Sequence, residues 1–318
     1  MARYALRRLA GAAPLFVLIT AICFFLIHLV PGGPLAALEL RHRGEDIERL
    51  RLALGLDRPV IVQYFMWLSR FLRGDLGDSL MTGEPVSRMI LERLPATLEL
   101  MGTALVLSLA VGIAVGIVSA VRRGTWIDHT LGALSLIGLS VPVFWLGVVC
   151  LLVFSAHLGW LPASGRGPVG EAFSLLERLR HLVLPASVLA AVQVPLWSRY
   201  MRGSLLDVLG EDHVRTAHAK GLPRRQVVLR HAVRPALNPV ITLLGLQVPA
   251  LFTGAVITEK VFAWPGIGRL FYDTVRRFDY TGLMGILAIA AALIILGNLA
   301  ADLTNARLDP RIRLGGRR

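Results

Sequence analysis

Few side chains in this sequence could do chemistry, and most stand in the wrong company for it. Cys23 and Cys150 each lie inside an apolar run. Two separated thiols build neither a disulfide framework nor a zinc site, so both read as inert packing residues. Ser140, in GLSVP, is the serine an intramembrane hydrolase would use, but such a nucleophile needs a histidine base supplied by another helix. Its surroundings lack a G-x-S-G-like turn, and no histidine follows His231, so the last apolar segment brings no base. The sequence contains neither H-E-x-x-H nor G-x-x-x-x-G-K-[ST], the patterns of a zinc peptidase helix and a phosphate loop. No catalytic residue, metal site or cofactor is expected in this chain. If ATP drives it, another chain must bind the nucleotide.

The remaining polar candidates lie in apolar segments. Gln193, Asn238 and Gln247 stand near Pro185, Pro195, Pro239 and Pro249, where a broken helix would expose backbone. They are candidates for lining a path, although such groups more often satisfy freed backbone. Glu99 and Asp302 fall near the ends of apolar segments, within reach of water or headgroups. No acid stands at mid-span, which argues against a self-contained ion-coupled carrier.

The elements that must position these residues are membrane spans. With 55% hydrophobic residues and a mean hydropathy of +0.63, the chain is too apolar for a soluble domain. Six segments approach the length of about 20 residues that a helix needs to cross the hydrocarbon core. They are 9–30, 97–121, 129–155, 182–198, 237–257 and 283–304. The first exceeds a signal-peptide core and reads as an uncleaved anchor. An all-α integral membrane protein with six spans puts both termini on one side.

Basic residues choose that side. The N-terminus, Arg122–Arg123, the loop 199–234 and the tail from Arg307 together hold 18 of the 34 Lys/Arg. The short loops decide the orientation, so the termini and loop 199–234 are expected to be cytoplasmic. The net charge of +13 is accounted for by topology and by attraction to anionic lipid. It lacks the aromatic interleaving of single-stranded nucleic-acid binders, so no nucleic-acid partner is expected.

Residues 31–94 form a long exported loop with an order of their own. One short helix is expected from Asp46 to a stop at Gly55. A second starts at Asp57–Pro59 and stops at Gly74, with Val60, Tyr64, Trp67, Leu68 and Phe71 on one face. It reads as a packing element rather than a docking site. In the second span Ser108, Gly112, Gly116 and Ala120 recur every fourth residue, a stripe that lets another helix approach closely.

The stretch EDHVRTAHAKGLP, 211–223, is polar between apolar neighbours. Asp212 suits an N-cap, and residues 213–220 make about two turns, on the order of 12 Å. Gly221 suits a left-handed end, and Pro223 stops the helix. Val214, Ala217 and Gly221 share a face that could enter a groove in a soluble partner. From the residues alone, a solvated loop helix is an equal reading.

RTAHAKG resembles the EAA-x-x-x-G loop of ABC-importer permeases, with Arg215, Thr216 and Ala217 in the EAA places and Gly221 as the glycine. VPGGP (30–34), LGLDRPVIVQYFMWL (54–68), GDLGDS (74–79), ERLPATLEL (92–100), SVPVFWLG (140–147), LGWLPASG (158–165), FAWPGIGRL (262–270) and LDPRIR (308–313) resemble the dipeptide/oligopeptide/nickel permease family. They come in family order and span nearly the whole chain. The sequence departs from the family where Gly32-Gly33-Pro34 replaces a common GDP and His218 a common arginine.

The resemblance implies a type I importer permease, the first of two permease subunits, in a bacterial or archaeal cytoplasmic membrane. Implied partners are the second permease, two ATPase subunits that bind ATP and Mg, and an extracytoplasmic solute-binding protein. Asp212, Val214, Arg215, Thr216, Ala217, Lys220 and Gly221 would form the ATPase-coupling loop. The expected organisation is 1–30 (N-terminus and first span), 31–94 (exported loop), 95–306 (five-helix core with coupling loop 199–234) and 307–318 (basic tail). Peptides are the expected cargo, with nickel or a glutathione-like solute as the alternative. An exporter half is disfavoured by the EAA-like loop and the absence of a fused ATPase; a receptor or scaffold stays open on physical grounds alone, and co-purification with an ATPase discriminates.

Overall fold

The computed structural model describes residues 2–29, 48, 51–52, 55–168, 170, 174–247, 251 and 255–308, with main chain alone at 2–9, 246 and 301–308. The expected short helix from Asp46 to Gly55, the VPGGP motif, Pro249 and most of the basic tail lie outside these residues or largely so. Among the described residues the secondary structure is helical, with one isolated bridge between Asp78 and Pro85.

Among the described residues four helices are long and apolar enough to cross a membrane: Ala10–His28 within α1 (Ala2–His28), α3 (Val86–Val121), α6 (Leu175–Leu209) and Tyr280–Ala300 within α11 (Tyr280–Leu308). The third expected span, 129–155, is not continuous. It divides into α4 (Trp126–Ser140) and α5 (Val143–Cys150), the latter running on as a π-helical stretch, Leu151–His157. The two arms are bent by 100°. Pro142 is the cause: it has no N–H to give, and it drives Val141 out of the helical region to φ −81°, ψ 123°. Counting the bent pair as one crossing gives five.

The other prolines do not act alike. Pro185 and Pro195 were expected to interrupt or border the fourth span, yet α6 runs through both. Each removes one backbone bond, and burial of both prolines among packed neighbours keeps the helix intact. The fifth expected span, 237–257, overlaps α8 (Val233–Gln247), which is 15 residues long. It is led in by Arg224–Gln226 and a π-helical stretch, Val227–Ala232. Further on come α9 (Val256–Val261) and α10 (Ile267–Arg277).

The chain divides into two compact units. The first holds α1, α2 (Val60–Leu72), the start of α3 up to Thr97, α10 and α11. In it α2 lies along α1 through the aromatic face read from the sequence. Phe24, Tyr64 and Met284 are buried together, with Val60, Trp67 and Leu68 around them. Tyr64 donates to Val17 O at 3.0 Å and meets the Thr20 hydroxyl at 3.0 Å. Helix α2 thus packs within its unit through the face expected to pack. In the GDLGDS motif, Ser79 donates to Asp279 at 2.5 Å and Leu80 N donates to the same carboxylate at 3.1 Å. Gly77, at φ +74°, leaves no room for a side chain, since a Cβ there would lie 2.9 Å from Thr281.

The second unit holds residues 98–251 and 257–264. Its core joins Leu105 and Ala120 of α3, Trp197, Met201, Leu205 and Val208 of α6, and Ala236 and Val240 of α8. The small-residue stripe of α3 faces α6. A Cβ on Gly112 would stand 2.5 Å from Trp197 Cβ, and one on Gly116 would stand 2.7 Å from Ser198 O. Trp197 donates its indole N–H to Ser108 at 3.1 Å. The stripe therefore sets the α3–α6 distance, as the sequence predicts.

Candidate functional site

Helix α7 (Asp212–Ala219) forms where the sequence places it, two residues after α6 ends. Eight residues make a marginal helix in water, so its contacts have to hold it. Asp212 is not the N-cap expected of it. Glu211 occupies that position at φ −77°, ψ 154° without a side-chain cap bond, because the connection from Leu209 is only Gly210–Glu211 long. Asp212 is instead the first helical residue, and its carboxylate meets Arg215 at 3.1 Å. That pair is exposed and contributes at most about 1 kcal/mol. Arg215 also donates to Gly210 O at 3.0 Å, satisfying a carbonyl at the end of α6. At the other end Gly221 has φ +76°, the left-handed conformation expected for it.

The face of α7 needs a larger correction. Val214 and Ala217 do not look outward. They are buried in the chain's own core with Leu205, Val208, Val227 and Ala232. Burying a valine side chain is worth about 1.5–3 kcal/mol, and this contact fixes α7 to α6 and to the lead-in of α8. The surface left free is the opposite one: Asp212, Arg215, Thr216, His218, Ala219 and Lys220, with Gly221 beside it, are exposed. His213 also contacts His231 O at 3.2 Å, and Arg224 donates to Val121 O at 3.2 Å. α7 is thus a rigid projection of the second unit with a polar, cationic outer face.

The expected path-lining residues lie on two helices of that unit. Gln193 is half-buried on α6, Asn238 is exposed on α8, and Gln247 is half-buried at the end of α8. Ser140 donates its hydroxyl to Leu136 O at 3.0 Å, within its own helix. Cys23 and Cys150 are free thiols packed among apolar neighbours. Among the described residues no group of three or more His, Cys, Asp or Glu side chains is gathered as a metal site needs.

Two ionic clusters in the second unit escaped the sequence reading. Glu99 accepts from Arg166 at 2.5 Å and from Arg178 at 2.7 Å, so the acid expected near water is paired with two arginines. Asp128, in the first turn of α4, receives Arg202 Nε at 2.9 Å and Nη2 at 2.8 Å, Gly124 N at 3.1 Å, and the Ser119 hydroxyl. The available signal was a lone acid at the border of an apolar segment, which needs a partner. Its partner is 74 residues away in sequence.

These are the features of a helical membrane protein with a short projecting helix between two of its apolar helices. Residues 112–314 match the family described as binding-protein-dependent transport system inner membrane component, and residues 1–101 match the N-terminal model of such membrane components. The chain belongs to this family. It is 40% identical over 314 residues to the oligopeptide transport system permease protein AppB of Bacillus subtilis (strain 168), covering 98% of this chain and 99% of the relative. It is also 40% identical to the dipeptide transport system permease protein DppB of Escherichia coli (strain K12), with the same coverage of both chains. Among solved structures, the inward-facing MetNI methionine ABC transporter matches with a TM-score of 0.56 at 19% identity. That match covers 70% of this chain and 97% of the other. The likeness is one of fold.

Proposed function

We propose that this chain is one of two permease subunits that together form the translocation path of a binding-protein-dependent importer of di- or oligopeptides. The observation that carries this reading is full-length identity of 40% to permeases named for oligopeptide and dipeptide transport. In this reading the exposed face of α7 docks in a groove of a separate ATPase subunit, one of two, which bind ATP and Mg. An extracytoplasmic binding protein delivers the peptide. Closure of the ATPases moves α7 and the helices packed on it, switching the path between its two faces. Gln193, Asn238 and Gln247 line the path. The family resemblance and the rigid seating of α7 support this division of labour.

The reading is tested by reconstitution. The chain purified alone is expected neither to bind nor to hydrolyse ATP. Adding the ATPase subunits, the second permease and the loaded binding protein should give ATP-dependent peptide uptake into vesicles. Hydrolysis by the isolated chain, persisting after contaminating ATPases are removed, would refute it.

The proposed organisation keeps six spans, with the α4–α5 pair in the third, 237–257 as the fifth, and both termini cytoplasmic. The segments are 1–30, 31–94, 95–306 with the coupling loop at 199–234, and 307–318. Ser79 is buried against Asp279 and is a poor reporter of sidedness. Glu84 and Arg225 are exposed and suit the purpose. Single cysteines at these positions, without Cys23 and Cys150, should react with an impermeant thiol reagent from opposite sides of the membrane. Reaction of both from outside intact cells would exclude six spans.

A further inference from the structure

We propose that Asp128 and Arg202 are positioning residues that carry the movement of α7 to α4, so that the broken third span follows the ATPase stroke. The inference rests on the coupling role given above to α7. Among the residues of α4, Asp128 is the one that is buried; the others are half-buried or exposed, with Leu134 and Ile137 near 60%. Helix α4 is therefore weakly held by apolar packing. Its polar attachment is a fork-on-fork pair, Arg202 Nε and Nη2 on the two oxygens of Asp128. Such pairs fix orientation as well as distance. Ser119, which donates to Asp128 and accepts from Arg202 Nε at 3.0 Å, ties the same point to the end of α3.

The line from this clamp to α7 is short and stiff. From Arg202 to the end of α6 at Leu209 is seven residues, about 10 Å of helix. Leu205 and Val208 on that stretch are buried against Val214 and Ala217 of α7. A force on α7 thus arrives at Arg202 as a movement of α6. Beyond the clamp α4 touches α6 again at Gly138, whose Cβ position is 3.4 Å from Pro195 and 3.6 Å from Ala191 O. Between the two points a cleft of about 490 Å³ opens, lined by Val115, Leu131, Ser135 and Arg199. The far end of α4 is the Val141–Pro142 break. An arm clamped at one end, hinged at the other and backed by open space moves where the clamp moves.

A purely structural ion pair predicts something different, and two neutral substitutions separate the cases. Removing one partner strands a charge, whereas removing both is often tolerated by a fold. Asp128→Asn and Arg202→Gln singly are expected to lower the amount of assembled complex. The double variant should assemble at normal abundance and hydrolyse ATP at its basal rate in the complete complex. Its binding-protein-stimulated hydrolysis and its peptide uptake should still fall by about 3- to 30-fold, the range of mutations along a coupling route. Wild-type uptake by the double variant would overturn the proposal. If the double variant does not assemble, hydrogen exchange in the unmodified complex decides. Segments 124–131 and 212–220 should change together between the nucleotide-free and ATP-bound states. A change at 212–220 alone overturns the proposal. No change at 212–220 counts against the coupling role of α7 itself, and with it against this inference.

Discussion

Gly116→Leu should remove most folded protein from the membrane, and Gly112→Leu should do nearly the same. A Cβ at Gly116 would lie 2.7 Å from Met201 Cβ and 2.7 Å from Ser198 O. The second of these is main chain and cannot swing aside, so α3 and α6 must separate along their length. Overpacking a tight contact costs about 1–3 kcal/mol for a few extra methylenes. Separation also breaks the Trp197–Ser108 bond and loosens Trp197 and Met201, both fully buried. A buried hydrogen bond adds about 0.5–1.5 kcal/mol. With a total stability of about 5–15 kcal/mol for a typical protein, these losses are a large share. Melting temperature in detergent and abundance in membranes are the measurements. Gly203→Ala on exposed helix surface, where an added Cβ meets nothing within 4 Å, is the control. It should be neutral or stabilising, since alanine is the better helix former. Normal melting and abundance for Gly116→Leu would mean that the stripe does not set the α3–α6 contact.

That stripe was legible because its information is local. Four small residues at a period of four lie on one helix face whatever covers them, and only the covering helix had to come from the structure. Helix α2 was legible for the same reason, with its start at Pro59, its stop at Gly74 and its aromatic face all within one segment. The failures share a cause too. Val214 and Ala217 were correctly grouped on one face, but a single sequence does not say whether an apolar face meets a partner or its own chain. Here Leu205, Val208 and Val227 cover it. Asp212 has the side chain of a good cap, yet the two-residue turn after α6 places Glu211 there. Pro142 lies within an apolar segment that hydropathy reads as one piece, because averaging over a window is blind to main-chain direction. Asp128–Arg202 and Ser79–Asp279, 74 and 200 residues apart, are pairings of the fold and leave no mark in local spacing.

The corrected face of α7 leads to the other large effect expected. Ala219 is exposed and Ala217 is buried, two positions apart on one eight-residue helix. Ala219→Trp should leave the permease inserted and its melting unchanged, since surface substitutions usually stay within about 0.5 kcal/mol. If the exposed face enters an ATPase groove, the indole overpacks that contact by about 1–3 kcal/mol. At 1.4 kcal/mol per tenfold, docking weakens by roughly 5- to 150-fold. Co-purification of the ATPase subunits and peptide uptake should fall together. Ala217→Trp should reverse the order of symptoms. Its side chain is driven into Leu205 and Val208, so melting and abundance fall first and docking is lost as a consequence. Gly221→Leu lies between them: no atom stands within 4 Å of its Cβ position, but φ +76° penalises any side chain. The left-handed penalty is about 1–2 kcal/mol, enough to fray the end of α7 without a clash. If Ala219→Trp takes up peptide normally and keeps its ATPase subunits, the exposed face of α7 is not where the ATPase docks. Coupling would then have to run through the surface of Arg224 and Arg225 that follows it.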